Sequence, residues 1–340
     1  MRRYLDEGLP AGVPIAVVAN DAIGNFVVAT PLLQMLREQL RPSRLDYFGG
    51  TRTGELQTPS DLIDWSYPLH GTPVREAAHA ILCRTQDEPY GLVVNVEGTA
   101  FAKAMTALIA GSDSWVVGPC LAPTGRGDLP VAADLRGELQ ADPRWIAEDL
   151  PGRYPFLDSG FIGEIFCRLA YLRGPIPGYR VPKAEPDHGI PDVLIATAAS
   201  LPEKLWPWDK WSWVLTRVRE RGLSAGLIGA APSAQREFWT GEDGEERLVG
   251  EGLVEDLRGA FSLPQVVGAL GRARACLSID NGVLHLAVAA KTPTVGLYRN
   301  GINRLWAPPS QGLTVLVADE GAEVSSIEED AVWGALENAL

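Results

Sequence analysis

Short apolar runs alternate along the chain with longer segments of helical periodicity. In the first half, four apolar runs predict buried strands at 14–20, 44–50, 91–98 and 114–119. The segments "NFVVATPLLQMLREQL" (25–40) and "TAFAKAMTALIAG" (99–111) predict helices between them. Strands that alternate with helices are typical of a mostly parallel sheet that is covered by helices on both faces.

The same rhythm returns in the second half. Strands are predicted at 192–200, 224–230, 276–279 and 294–298, and helices at 208–222, 262–273 and 325–340, with a further helix between the last two strands. Between the halves, residues 150–191 are rich in proline and glycine, as linkers are. We expect a boundary near Gly174–Pro186 and two domains, 1–178 and 179–340. The terminal helix is free to pack back on the first domain.

Composition and charge narrow the class of protein. The 340 residues are 46% hydrophobic and 21% charged, which is the balance of a globular chain with two domains. The formal net charge of −13 disfavours nucleic acid and anionic membrane surfaces as partners. The sequence has no apolar run near the ~20 residues of a membrane helix, and its start does not resemble a signal peptide. We expect a cytoplasmic protein.

The cysteines do not predict a metal site or a disulfide framework. Cys83, Cys120, Cys167 and Cys276 lie far apart in the sequence and none forms a C-x-x-C pair. We expect reduced, mostly buried thiols and no bound metal.

The apolar run before Asp280-Asn281-Gly282 stops where the next helix must begin. In parallel α/β sheets, ligands bind at the carboxyl ends of strands, where helix N-termini present unpaired N–H groups. Gly282 lets a ligand approach the backbone closely, and the N–H groups after it favour a diphosphate. Asp280 could accept hydrogen bonds from hydroxyls, hold the loop, or simply cap the helix. His285 lies one turn further, where a lone histidine is more often a core residue than a ligand contact.

Two other strand ends in the second half carry candidate binding residues. In "TAASLPEKLWPWDKW" (197–211), Ser200 offers a hydroxyl and Lys204 could neutralise a phosphate. The alternative for Lys204 is a solvated lysine beside a tryptophan cluster. In "LIGAAPSAQRE" (227–237), the strand ends at Gly229 in a loop of small residues, which could receive a nucleoside or could be a plain turn.

The first half carries a corresponding cluster of polar residues. Gly24 and Asn25 lie in the first strand-to-helix loop, and Asp21 stands four residues before Asn25. A carboxylate here could act as a general base on an acceptor hydroxyl, although both polar residues could instead be turn or cap residues. Glu97 ends another buried strand, which we expect at the same edge of the sheet.

The signatures of several other enzyme classes are missing from the sequence. It contains neither G-x-G-x-x-G nor G-x-x-x-x-G-K-[ST], so a dinucleotide-dependent oxidoreductase and a P-loop NTPase have no support. It contains neither G-x-S-x-G nor H-E-x-x-H, the signatures of many serine hydrolases and zinc proteases.

Taken together, the clusters resemble glycosyltransferase family 9, the heptosyltransferases. "DNGVLHLAVAAKTPTVGLY" is similar to the family signature that begins D-(T/S)-G-x-x-H-L-A-A-A, with Asp280, Gly282 and His285 in register. "SLPEKLWPWDKW" resembles the family's S-x-x-x-K-x-W-P segment through Ser200 and Lys204. "AIGNFVVATPLLQMLR" resembles its N-terminal segment, and "NVEG" stands where the family often has D-x-Q-G. The resemblance spans almost the whole chain.

This resemblance implies a GT-B fold, in which two Rossmann-like, doubly wound domains face a cleft. It also implies an inverting sugar transfer that needs no metal or other cofactor, with a nucleotide diphosphate sugar such as ADP-heptose as co-substrate. By the matched positions, Ser200, Lys204 and the backbone at Asn281-Gly282 would contact the diphosphate. Asp280 would order that loop or touch the donor.

Several positions depart from the family pattern. Asn25 stands where the family has its catalytic aspartate, so the base would be Asp21, Glu97, a group on the acceptor, or absent. Asn281 replaces a threonine or serine, and the family's F-G-P-T turn is Y-R-N-G here, which places Arg299 near the donor. The acceptor-side segments carry few basic residues, which favours a small-molecule or saccharide acceptor over an anionic lipid.

The sequence therefore predicts a glycosyltransferase that moves a sugar from a nucleotide diphosphate to a small-molecule or saccharide acceptor. Two alternatives stay open. One is a nucleotide-sugar epimerase on the same fold, and the other is a non-catalytic sugar-nucleotide-binding subunit, which the asparagine at position 25 favours.

Overall fold

The chain forms two compact units, Met1–Arg180 and Val181–Leu340. The structure is a computed structural model, and it describes residues 1–86, 88–146, 149–235 and 243–340. Each unit contains its own parallel sheet with helices packed against it, so the predicted class of two Rossmann-like α/β domains is confirmed. The boundary predicted between residues 178 and 179 lies two residues before this division.

The first sheet has six parallel strands within the described residues. They are β1 (Arg2–Arg3), β2 (Ile15–Val18), β3 (Leu45–Gly50), β4 (Trp65–His70), β5 (Leu92–Asn95) and β6 (Trp115–Val117). Their order is β1-β6-β5-β2-β3-β4. The chain winds one way from β2 to β4 and the other way from β5, so the strand order reverses between β2 and β5. In doubly wound sheets, this reversal opens a crevice at the carboxyl ends where ligands bind.

The first four helices of the first unit lie between these strands, and the last three follow β6. They are α1 (Ile23–Met35), α2 (Gly54–Gln57), α3 (Val74–Thr85), α4 (Ala100–Ile109), α5 (Leu135–Ala141), α6 (Leu150–Arg153) and α7 (Ile162–Leu169). The prediction of a linker over 150–191 is wrong in its first part, because α7 is almost entirely buried and packs on α1. The composition of residues 150–191 as a whole is rich in proline and glycine, and it therefore obscures the short helix α7 within this segment.

The second sheet repeats the strand order that β2 to β6 have in the first. Its described strands are β7 (Val193–Ala196), β8 (Ala225–Leu227), β9 (Glu255–Asp256), β10 (Ala275–Ile279), β11 (Thr294–Tyr298) and β12 (Leu313–Val317), in the order β12-β11-β10-β7-β8-β9. Its helices are α8 (Trp208–Glu220), α9 (Pro232–Gln235), α10 (Gly244–Gly250), α11 (Leu263–Leu270), α12 (Gly282–Ala289), α13 (Ile302–Trp306) and α14 (Glu329–Ala339). The strand order reverses between β7 and β10.

The terminal helix α14 packs on the second unit. Val332 and Leu336 are fully buried in the core of the second unit. The short connection from β12 keeps α14 beside its own sheet, where it covers β10 and β11 and packs on α8. An amphipathic pattern indicates that one face of a helix is buried, but it does not indicate which sheet that face packs against.

Two other features bear on the sequence-based expectations. All four cysteines lie among the described residues and are free thiols; Cys120, Cys167 and Cys276 are buried, and Cys83 is exposed. Among the helices in the described ranges, none has both the length and the apolar character that crossing a membrane requires.

Candidate functional site

A partly buried ion pair connects the ends of the two strands between which the order of the second sheet reverses. Lys204 ends the 3-10 turn Pro202–Lys204 that follows β7, and Asp280 comes directly after β10. Lys204 Nζ lies 2.6 Å from Asp280 Oδ2 and 3.3 Å from the carbonyl oxygen of Asp280. The Asp280 side chain is 6% exposed and the Lys204 side chain 20%. An ammonium group has three donors, so Asp280 fixes Lys204 and leaves one N–H for a ligand.

Asn281 is the capping residue of α12. Its Oδ1 accepts hydrogen bonds from the N–H groups of Val283 at 2.9 Å and Leu284 at 3.2 Å. Its Nδ2 donates to the carbonyl oxygen of Ala198 at 3.1 Å, which ties the start of α12 to the loop after β7. The expected row of open N–H groups is therefore reduced, since the amide side chain takes two of them. The N–H of Gly282 donates to no other group among the described residues.

His285 lies beside the ion pair as a neutral, buried side chain. It is 2% exposed. Burial lowers its pKa to about 4; the Asp280 carboxylate opposes this shift and the Lys204 ammonium adds to it. The ring meets Trp306 edge-on, with 6.5 Å between centroids. At neutral pH, His285 therefore carries no positive charge.

A second ion pair lies next to the first. Arg299 follows β11, and its Nη1 lies 3.0 Å from Oε1 of Glu203. Because Glu203 immediately precedes Lys204, one turn is tied to the ends of two neighbouring strands. Sequence analysis included Arg299 but missed Glu203, whose only signal was its place beside Lys204.

Two further predicted residues lie in the loops at this edge of the sheet. Ser200 is exposed in the loop between β7 and the turn that carries Lys204. Gly229 follows β8 and is half-buried, and its carbonyl oxygen accepts the N–H of Gly259 at 2.9 Å. The last part of the predicted loop, residues 236–237, lies outside the described residues.

A buried network that sequence analysis also missed fixes the end of β7. The Thr197 hydroxyl donates to Glu245, and Glu245 Oε2 lies 2.7 Å from Arg258 Nη1. Both charged side chains are almost inaccessible, at 1% and 4% exposure. Arg258 also binds both carboxylate oxygens of Asp256 at 2.8 Å. These contacts hold the residue from which the loop with Ser200 and Lys204 starts.

In the first unit, Glu97 lies where the strand order reverses between β2 and β5. Asn20 Nδ2 donates to Glu97 Oε2 at 2.8 Å, and the N–H of Thr99 donates to Oε1 at 3.1 Å. The residues that follow β2 and β5 are thus in direct contact. Glu97 is half-buried, and neutral groups alone donate to its carboxylate within the described residues.

The other predicted residues of the first unit surround the same loop. Asp21 Oδ1 accepts the N–H of Arg52 at 2.9 Å and lies so close to Gly50 that an added Cβ there would come within 2.1 Å of it. Gly24 and Asn25 are the second and third residues of α1. The Asn25 side chain is half-buried and makes no hydrogen bond within the described ranges.

Comparison with known proteins gives a family match for the second unit. Residues 180–332 match the family model "Glycosyltransferase family 9 (heptosyltransferase)". The second unit is thus similar to glycosyltransferase family 9 over most of its length. Lipopolysaccharide heptosyltransferase 1 of Pseudomonas aeruginosa is 32% identical over 120 residues, which are 34% of this chain and 30% of that relative. The match therefore spans less than a third of the length of this curated relative.

Solved structures extend the likeness in fold to both units. A glycosyl transferase family 9 protein from Veillonella parvula superposes with a TM-score of 0.77 at 16% identity, over 98% of this chain and 99% of that one. The E. coli heptosyltransferase WaaC, solved with ADP-2-deoxy-2-fluoro heptose, gives a TM-score of 0.64 at 17% identity, over 96% of this chain and 100% of that one. The predicted GT-B fold class is confirmed.

Proposed function

We propose that this protein is an inverting glycosyltransferase that moves a sugar from a nucleotide diphosphate donor to a small-molecule or saccharide acceptor. The observation that carries the proposal is the Lys204–Asp280 pair within the region similar to family 9, where a fixed cation with a free donor faces the crevice of a doubly wound sheet. The likeness to a heptosyltransferase solved with an ADP-heptose analogue supports ADP-heptose as the donor.

On the donor side, the second unit binds the diphosphate and stabilises it as it leaves. The bond between the anomeric carbon and the phosphate oxygen breaks, and negative charge grows on the departing diphosphate. Lys204 and the N–H of Gly282 offset this charge without a metal ion, because they are already oriented before the reaction begins. Ser200 and the neutral His285 add hydrogen bonds to the donor. Asp280 holds Lys204 in place.

On the acceptor side, the first unit supplies the base. The acceptor oxygen attacks the anomeric carbon from the face opposite the diphosphate, which inverts the configuration, and its proton passes to a carboxylate. An amide cannot accept this proton, so Asn25 contributes a hydrogen bond and the base is a carboxylate of the first unit, Asp21 or Glu97. Gly24, which has no side chain, leaves room for the acceptor at the start of α1.

The test is to incubate the protein with a panel of nucleotide diphosphate sugars and to analyse the products by mass spectrometry, first without and then with candidate acceptors. We expect one donor class, ADP-heptose first among them, to release its nucleoside diphosphate as the sugar is joined to the acceptor. Isomerised donor in the absence of acceptor would instead indicate an epimerase. Binding without any product would indicate a non-catalytic subunit, and no binding at all would contradict the proposal.

A further inference from the structure

The second unit holds two cations at neighbouring strand ends, and each is fixed by one carboxylate. Lys204 pairs with Asp280 at 2.6 Å, and Arg299 pairs with Glu203 at 3.0 Å. The 3-10 turn supplies one acid, Glu203, and one base, Lys204. The ends of the two strands supply their partners. The two pairs are thus neutral together, yet both cations stay partly accessible, with side-chain exposures of 20% and 26%.

The strand register places the two pairs close together. β10 and β11 are parallel, and Ile279 stands opposite Leu297. Asp280 therefore lies at the level of the residue after Leu297, and Arg299 lies one residue further. Neighbouring strands are about 4.8 Å apart and successive residues rise about 3.3 Å. The backbones of Asp280 and Arg299 are therefore separated by roughly 6 Å, so the two cations can reach adjacent phosphates of one ligand.

Arg299 has hydrogen-bonding capacity that its carboxylate partner does not use. A guanidinium group has five N–H donors in a planar fork that matches the geometry of a phosphate. Within the described residues, Glu203 engages Nη1 of Arg299, while the buried Nε of Arg299 has no partner. A guanidinium oriented on one side with donors left over is arranged to receive an anion.

We propose that Arg299 is a second diphosphate-binding residue, which contacts the donor beside Lys204 and is oriented by Glu203. This inference rests on the proposed function and deepens it, since it makes the site selective for two linked phosphates over one. In the family pattern, the turn has a glycine at this position, so the second cation is a feature of this chain.

The test is calorimetric titration of ADP and of AMP into the wild-type chain and its variants. Arg299→Ala should weaken ADP binding about 10- to 100-fold, the effect of losing a charge-assisted hydrogen bond, and should weaken AMP binding much less. Arg219→Ala is the matched control. It removes the same charge from an exposed residue at the end of α8. Because α8 ends near the opposite ends of the strands from Arg299, this variant should leave both affinities unchanged.

Removing Glu203 instead of Arg299 distinguishes ligand binding by Arg299 from a purely structural role of the ion pair. Glu203→Ala keeps the guanidinium and removes only the group that orients it. We therefore expect a smaller loss of ADP affinity than in Arg299→Ala, to within about threefold of the wild type. Arg299→Lys keeps the charge without the fork and should fall between the wild type and Arg299→Ala; thermal melting of each variant confirms that it is folded. Equal weakening by Glu203→Ala and Arg299→Ala, or wild-type ADP affinity in Arg299→Ala, would overturn the inference alone. A wild-type chain that binds no nucleoside diphosphate would overturn the proposed function with it.

Discussion

The two units place a polar bridge at the same topological position but build it from different chemistry. In each sheet, the strand order reverses between two neighbouring strands, and side chains connect the residues that follow them. In the second unit, the bridge is an ammonium–carboxylate pair, Lys204–Asp280. In the first unit, it is an amide–carboxylate contact, Asn20–Glu97. One fold therefore presents a fixed cation in one unit and a carboxylate held by neutral groups in the other.

The difference between the two bridges indicates which chemistry each crevice is suited to. A cation oriented by a buried acid binds and stabilises an anion, which is the task of a donor site with a diphosphate leaving group. A carboxylate that no cation neutralises can take a proton from a neutral hydroxyl. Within the described residues, neither Asp21 nor Glu97 forms an ion pair. The shared topology explains where the sites lie, and the partners of the carboxylates explain how the sites differ.

The largest effect is expected from removing the base of the first unit. Glu97→Gln and Asp21→Asn each replace a carboxylate by an amide of the same shape. The variant that loses the base should turn over about 100- to 10,000-fold more slowly, while its ADP affinity is unchanged because the proposed donor site is in the second unit. Glu76→Gln, an exposed acid on α3, is the control. Full turnover in both variants would mean that the first unit supplies no base.

Ion pairs away from the crevices should affect stability and not binding. Asp46 in β3 is fully buried, and it accepts bonds from Arg84 Nε at 2.8 Å and from the Tyr90 hydroxyl at 2.6 Å. Asp46→Asn leaves Arg84 without its counter-charge. We expect a loss of about 3 kcal/mol in the free energy of unfolding of the first unit, the low end for a broken buried pair because Arg84 is partly exposed.

Hydrogen exchange followed by mass spectrometry measures that loss unit by unit. Core amides of the first unit should exchange roughly 100-fold faster in Asp46→Asn, and amides of the second unit should be unaffected. Weakened ADP binding in this variant would contradict the separation between structural and functional ion pairs.

The buried histidine of the second unit should make stability depend on pH. The pKa of His285 is lowered to about 4 in the folded chain from the ordinary 6.5. Between these values, the unfolded chain binds more protons, so stability is fully present above pH 6.5 and falls as the pH drops towards 4. The loss amounts to about 3 kcal/mol. His285→Gln should lose less stability over that range in urea titrations; parallel losses in both proteins would refute the assignment.

The smallest effect is expected at the cap of α12. Asn281→Ala removes the acceptor for the N–H groups of Val283 and Leu284 and should cost about 1 kcal/mol of stability. Asn281→Ser keeps a capping oxygen and should recover most of it. Thermal melting of the two variants compares them directly, and equal melting temperatures would argue against the cap.

Much of the fold could be predicted from the sequence, because the strands that matter most are short, buried and mostly apolar. The predicted runs over β2, β3, β10 and β11 lie within a few residues of the observed strands. β4 was missed because "WSYPLH" contains a proline and alternates weakly, as suits an edge strand. β12 was missed as well, and it also lies at an edge of its sheet.

The sequence predicts individual residues of the candidate site, but it does not predict which of them form ion pairs with each other. Both Lys204 and Asp280 were selected because each follows a strand, yet 76 positions separate them and no spacing rule joins them. The cap was left to Asp280 because the start of α12 could not be placed to within one residue. The structure shows that Asn281 is the cap, because its side chain accepts hydrogen bonds from the N–H groups of α12, whereas the Asp280 side chain pairs with Lys204.

The central claim is that Lys204 binds the diphosphate of a sugar donor in the second unit. The most direct measurement is calorimetric titration of ADP into the wild type, Lys204→Gln and Lys291→Gln, an exposed lysine that follows the other end of α12. We predict that the wild type and Lys291→Gln bind ADP equally and that Lys204→Gln binds at least 10-fold more weakly. No heat with the wild type, or equal affinity in all three proteins, would contradict the account.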